Sequence, residues 1–282
     1  MIPELYRKGG QLTAFFNALF PVFFITLALT PIVAIGQPKN LDIVFYNVEN
    51  PFDTIDNPET YDEDFTPYGK LSYDTERYQT KLNHISKVVS SVIPNRHPDI
   101  IGLSEVENKR VLEDLIQILP KANWKIVHLD SSDGRGIDNA VIYDLDRVEV
   151  LESLAIRIDL GANERPTRDI LQVTFADKYA KEELVIFVNH WPSRYGGEIE
   201  SNWKRVRASQ TLQATIIRID EPSENNFVVL GDFNDNPDNE SVMGLTNCDT
   251  GFVRKTFMNS LMALRMEHMY TKVNGMFLIK SL

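Results

Sequence analysis

The chain has a single cysteine, Cys248. That excludes an internal disulfide framework and any zinc cluster built on cysteines. It also lacks a basic excess: Lys plus Arg total 29 against 40 for Asp plus Glu, a formal net charge of -11. Such a surface repels a polyanion at long range, which excludes a protein that holds nucleic acid by bulk charge. An enzyme whose metal ion inverts the field at one point is not excluded. The 282 residues contain no internal repeat and no low-complexity tract. Tyrosine and tryptophan are not interleaved with basic residues as on a nucleic-acid platform. With 43% apolar and 24% charged residues, the composition is that of a globular chain.

Charge is missing altogether from Gln11 to Pro38, where AFFNALFPVFFITLALTPIVAIG follows Arg7 and Lys8. A positive start, an apolar middle and small residues before a polar junction read as a secretory signal over residues 1–36, cleaved after Gly36. The alternative is an uncleaved membrane anchor, which Pro21 and Pro31 weaken without forbidding. Either way the rest of the chain is expected to be exported, as a periplasmic, secreted or membrane-anchored protein. A membrane partner is expected only if this segment stays in place.

After Pro38 short apolar runs alternate with polar turns. LDIVFYNV, DIIGLSEV, WKIVHLD, NAVIYDL, ILQVTFAD, ELVIFVNH and NFVVLGDF each read as a buried strand. Tyr78, Leu82, Ile85, Val88, Val89 and Val92 recur at helical spacing after a cap near Asp74. Val111, Leu112, Leu115, Ile116 and Leu119 mark a second helix, closed by Pro120. Val206, Leu212, Ile216 and Ile219 mark a third. The pattern predicts one α/β domain over residues 37–265, with mixed sheets and outer helices. The acidic, aromatic stretch from Pro51 to Asp74 is too long for a plain connector and reads as an insertion near the site or a cover over the core.

Four strands end in polar residues: Asn47 with Glu49, Ser104 with Glu105, Asn189 with His190, and Asp232 with Asn234 and Asp235. Singly, each has a structural reading, as a turn residue, a helix-cap neighbour or a satisfied buried histidine. Together, at the ends of rigid strands, they form the kind of place where α/β proteins build sites. Trp203, Lys204, Arg205 and Arg207 read as a solvated helix face, with anion binding as the alternative. His84, His97, His128 and His268 have no motif around them and read as structural or surface residues.

The set NVENPFD, IIGLSEVEN, GRGIDNAVIYD, ERPTRDILQV, VNHWPSR and VVLGDFND resembles the endonuclease/exonuclease/phosphatase superfamily over about residues 40 to 235. That superfamily includes pancreatic-type deoxyribonucleases, abasic-site endonucleases, sphingomyelinases and inositol-polyphosphate 5-phosphatases. The resemblance implies a four-layer α/β sandwich, DNase I-like, in which two packed mixed β-sheets are flanked by helices. It implies hydrolysis of a phosphate ester by water with a divalent cation, Mg2+ first, with Mn2+ or Ca2+ as alternatives. Glu105, Asn47 and Asp232 match its metal-binding positions, and His190, Asp232 and Asn234 its catalytic ones. Asn47 and Asn234 match substrate contacts, while Arg165 and Arg168 before the next strand read equally as phosphate binders to join them or as partners of local acids. Asp138 and Asn139 match groups that hold the site. The expected partner is a phosphate-ester substrate, with nucleic acid among the candidates. A catalytically inactive phosphate-binding module and a membrane-anchored scaffold are the alternatives.

The C-terminus departs from the pattern. Members end with a strand carrying Trp and Asp-Gln, then a Ser-Asp-His motif that supplies the general base, and no such run follows Asp235. Back-translated one frame earlier, Glu267 to Leu282 regains the Trp and the Asp-Gln pair. Residues 266–282 are therefore expected to be an out-of-frame tail, arising from one base lost between Arg265 and Met266. The domain would then lack its terminal base and a sheet-closing strand. The gene's nucleotide sequence decides this.

Overall fold

The computed structural model describes residues 40–220, 226–246 and 276–280. The segment 1–36, Cys248, His268 and most of the tail lie outside them. Among the described residues no helix is long and apolar enough to cross a membrane.

All seven runs read as strands are strands: β1 (Asp42–Asn47), β2 (Ile100–Val106), β3 (Trp124–His128), β4 (Asp138–Asp144), β6 (Ile170–Asp177), β7 (Glu183–His190) and β8 (Asn226–Asp232). Two more join them, β5 (Val148–Ile156) and β9 (Met276–Lys280). One sheet has the order β3-β4-β2-β1-β9 and the other β5-β6-β7-β8. Within them β1 pairs with β2, and β7 with β8, in parallel. The tail thus contributes β9, antiparallel to β1 along its outer edge. The second sheet ends on β8 among the described residues.

The central strands are apolar on both faces because both faces are covered. Ile43, Phe45, Ile100, Val173, Phe175, Ile186, Val188 and Leu230 fill the space between the sheets. Gly102 permits the closest approach: a Cβ there would lie 2.6 Å from Leu230 Cδ1. On the outer face of the first sheet, Ile101, Leu103 and Ile142 pack against α1 (Thr75–Val92) and α2 (Lys109–Ile118). On that of the second, Val185, Phe187 and Val229 pack against α3 (Glu198–Asp220) and α4 (Glu240–Thr246). The layers run helix, sheet, sheet, helix, as the family resemblance implied. Asp74 caps α1 by accepting the Arg77 N–H at 2.9 Å. Asn108, rather than Glu105, caps α2, accepting the Val111 N–H at 3.0 Å.

The stretch 51–74 is pinned to the domain. Phe52 is buried and stacks on Phe65 with 4.1 Å between centroids. Beside it three buried carboxyls meet, Asp53, Asp62 and Glu107. The Asp53 N–H donates to Glu107 Oε2 at 2.5 Å. Burial, and then the charges of Asp53 and Asp62, push the Glu107 carboxyl up to about 8. At neutral pH it therefore keeps its proton and hydrogen-bonds Asp62. Because the folded value lies above the ordinary 4.5, the stabilisation is complete below pH 4.5 and is lost as pH rises toward 8. Glu107→Gln is expected to abolish this decline. By pH 8 the variant should be the more stable by up to roughly 4 kcal/mol. Thermal unfolding of both proteins across that range checks it, and parallel curves refute it.

Candidate active site

The parallel pairs bring four strand ends together. β1 delivers Asn47 and β2 Glu105, while β7 and β8 deliver His190 and Asp232, which are register partners. Alternation would send Glu105 elsewhere, but β2 bulges between Ser104 and Val106 and Glu105 takes a left-handed φ of 66°. A bulge re-aims a side chain, and a non-glycine residue held at positive φ costs ~1–3 kcal/mol, a strain typical of functional sites. Gly231 allows β8 to run close to β7: at its φ of 152° a Cβ would fall 2.2 Å from the Asn189 carbonyl oxygen.

The Asn47 amide nitrogen donates to Glu105 Oε1 at 3.0 Å and to Asp232 Oδ2 at 2.9 Å, knitting the two sheets together at the site. Its oxygen accepts the Glu49 N–H at 3.0 Å. In this arrangement Asn47 braces two carboxylates, and the ion coordination expected of it from sequence requires the amide to turn over. Neither Glu105 nor Asp232 has a Lys or Arg in ion-pair contact among the described residues. His190 Nε2 lies 3.6 Å from Glu105 Oε1, and Nδ1 has no hydrogen-bond partner among the described residues. Burial, then the Arg168 and Arg135 guanidinium groups, hold the His190 pKa well below its ordinary value, so the ring is neutral.

Asn234, at a φ of 52°, donates its backbone N–H to Asp232 Oδ1 at 3.0 Å and its amide to the Trp191 carbonyl at 2.9 Å. The same carbonyl accepts from Arg168 at 2.7 Å. Arg168 is a buried cation under the site, paired to Asp133 Oδ2 at 3.1 Å. Arg165, its expected companion, is exposed and makes no hydrogen bond or ion pair among the described residues. Asn139 donates to the Asp169 carbonyl at 2.8 Å, tying β4 to the start of β6.

One arginine has no place in the sequence reading and a second departs from it. Arg135 is half-exposed, its charge bears on His190, and it grips Asp133 through Nε and a terminal nitrogen, both at 3.1 Å. Burial raises the Asp133 pKa, and the two arginines outweigh it and hold the group below the usual carboxylate range. The signal for Arg135 lay in GRGIDNA, where only Asp138 and Asn139 were singled out. Arg205, read as part of a solvated face, is instead fully buried, with Nε 2.7 Å from Asp235 Oδ2. Asp235 also takes Arg194 at 3.2 Å and the Ser241 hydroxyl at 2.6 Å. The surrounding cations are also engaged, Lys204 with Glu164 and Arg207 with the Asp159 carbonyl. Apart from these groups, His128, Asp130 and Asp138 bring three ligand atoms within 4.8 Å of one another.

Carboxylates, amides and a histidine at the carboxyl ends of four strands, in a four-layer α/β sandwich, define a fold of the phosphoesterase class. A family model for the Endonuclease/Exonuclease/phosphatase family matches residues 42–276, and the chain belongs to that family, one of hydrolases. No curated protein matches the chain. Among solved structures, a mannosyl-6-phosphatase of Bacteroides thetaiotaomicron is 16% identical, covering 86% of this chain and 85% of its own, with a TM-score of 0.57. The human Nocturnin catalytic domain with bound sulfate anion is 14% identical over 86% and 82%, with a TM-score of 0.55. An endonuclease/exonuclease/phosphatase family protein of the same Bacteroides species is 18% identical over 74% and 68%, with a TM-score of 0.53. At these identities the likeness is one of fold.

Proposed function

We propose that the chain is an exported, divalent-metal-dependent phosphoesterase that hydrolyses a phosphodiester, a nucleic acid or a related ester, by in-line attack of water. The observation that carries this reading is the Asn47 amide holding Glu105 and Asp232 together with no Lys or Arg paired to either among the described residues. Two adjacent carboxylates so placed suit a hard cation such as Mg2+, with Mn2+ or Ca2+ as alternatives. When bound, the cation supplies Lewis acidity and a lowered pKa for water. Asp232 orients the attacking water. His190, kept neutral, donates one N–H to a phosphoryl oxygen as charge develops there. Arg135, held in plane by Asp133 and half-exposed, faces the anionic substrate, while Arg168 stays beneath as a fixed positive field.

Bis-p-nitrophenyl phosphate and p-nitrophenyl phosphate, each with Mg2+ and with excess chelator, test the reading. Faster, chelator-sensitive release from the diester is expected. Preference for the monoester would align the chain with the mannosyl-6-phosphatase it resembles in fold. Silence on both esters favours an inactive phosphate-binding module. His190→Ala is expected to lower kcat by ~10²–10³-fold with KM nearly unchanged, since its hydrogen bond strengthens only in the transition state. A rise in KM at constant kcat refutes that role.

A further inference from the structure

His128 closes β3 and Asp138 opens β4, so the pair clasps the two ends of the loop 129–137. Both side chains are 4% exposed. His128 Nε2 lies 3.2 Å from Asp138 Oδ2, yet Nε2 makes no hydrogen bond among the described residues. The molecule contains its own comparison: His97 Nε2 meets Asp144 Oδ2 at 3.0 Å in a hydrogen bond. A buried ring nitrogen left unpaired forfeits its solvation with no return.

A shared cation accounts for this geometry. Two ligand atoms side by side on one ion, each bonded at ~2.0–2.2 Å, stand about 3 Å apart, and it is the ion that lies on the axis of the ring nitrogen. Asp138 is pre-aimed, since its other oxygen accepts the Ser131 N–H at 2.8 Å. Asp130, exposed to solvent, is the third member of a triad in which one ligand atom from each residue lies within 4.8 Å of the others. One imidazole with two carboxylates suits a borderline transition ion better than Mg2+, which prefers oxygen alone.

We propose that His128, Asp130 and Asp138 bind a divalent transition-metal ion of the Zn2+ type, through a donor set that shares no residue with Glu105 and Asp232. The ion staples the loop 129–137, and with it Asp133 and Arg135, to the edge of the first sheet. The site does not depend on the phosphoesterase reading.

The test uses the full chain carrying Glu105→Ala, which removes a carboxylate from the other donor set, stripped with chelator and titrated with Co2+. One equivalent should bind with visible d–d absorption, and Zn2+ should displace it. Adding His128→Gln or Asp130→Ala should weaken Co2+ binding by at least about 10-fold. Asp130 is exposed, so its variant decides the matter alone if His128→Gln does not fold. Absence of the absorption, or unchanged affinity in Asp130→Ala, overturns the proposal.

Discussion

Glu105→Ala is expected to lower kcat/KM of the Mg2+-dependent reaction by ~10³-fold or more. A bound cation stabilises the developing charge by several kcal/mol, and each 1.36 kcal/mol is about tenfold in rate. Glu105 is one of the two carboxylates that Asn47 holds together, so its loss should raise the Mg2+ concentration needed for half-maximal rate. Asp232 remains, and excess Mg2+ should recover part of the activity. Stability separates this role from a structural one. The glutamate sits at a φ of 66° and close to a second carboxylate, so Glu105→Gly should relieve strain and leave the unfolding midpoint unchanged or raised. Loss of several kcal/mol in Glu105→Gly would mean that the residue holds the fold together.

The second large effect concerns Asp235. Its carboxylate and the Arg205 guanidinium are both fully buried; Arg194 and Ser241 also bind the carboxylate, and Arg205 also donates to Ser201 Oγ at 2.8 Å and the Glu198 carbonyl at 3.1 Å. Removing one partner of such a pair strands the other charge, which typically costs ~3–5 kcal/mol. Asp235→Ala is expected to destabilise by that amount in urea or thermal unfolding. Replacing both members, Arg205→Met with Asp235→Leu, should recover much of the loss, because two apolar groups need no partner. Arg194 donates to the Asn234 carbonyl at 3.0 Å and is anchored by Asp235 at 3.2 Å, so the double variant, lacking that anchor, should unfold normally yet bind substrate poorly. A cost below about 1 kcal/mol for Asp235→Ala would show that water reaches Arg205.

What could be read in the sequence follows from burial. Asn47, Glu105, His190 and Asp232 stood out because each ends an apolar run, and the runs are apolar because helices and a second sheet cover both faces. β5 hid for the opposite reason. It is an edge strand with exposed Leu151 and Leu154, and a register shift between Val150 and Glu152 spoils its alternation. Arg205 looked like a surface cation because its carboxylate lies thirty residues further along the chain, at Asp235. Arg135 sits in a polar loop without periodicity, and only the fold brings its charge to bear on His190.

With β9 left aside, each sheet has the same plan from its parallel pair onward among the described residues. In the first, β1 and β2 are followed by antiparallel β4 and β3; in the second, β8 and β7 are followed by antiparallel β6 and β5. A helix bridges each pair, α1 in one case and α3 in the other. The molecule is built as two like half-shells placed back to back, and its polar cluster belongs to neither. One half contributes an amide and a carboxylate, the other an imidazole and a carboxylate. A slip of one residue between the sheets, ~3.3 Å, would leave each half intact and dissolve the cluster. The apolar seam where Gly102 meets Leu230 therefore acts as the alignment key for the chemistry at its rim.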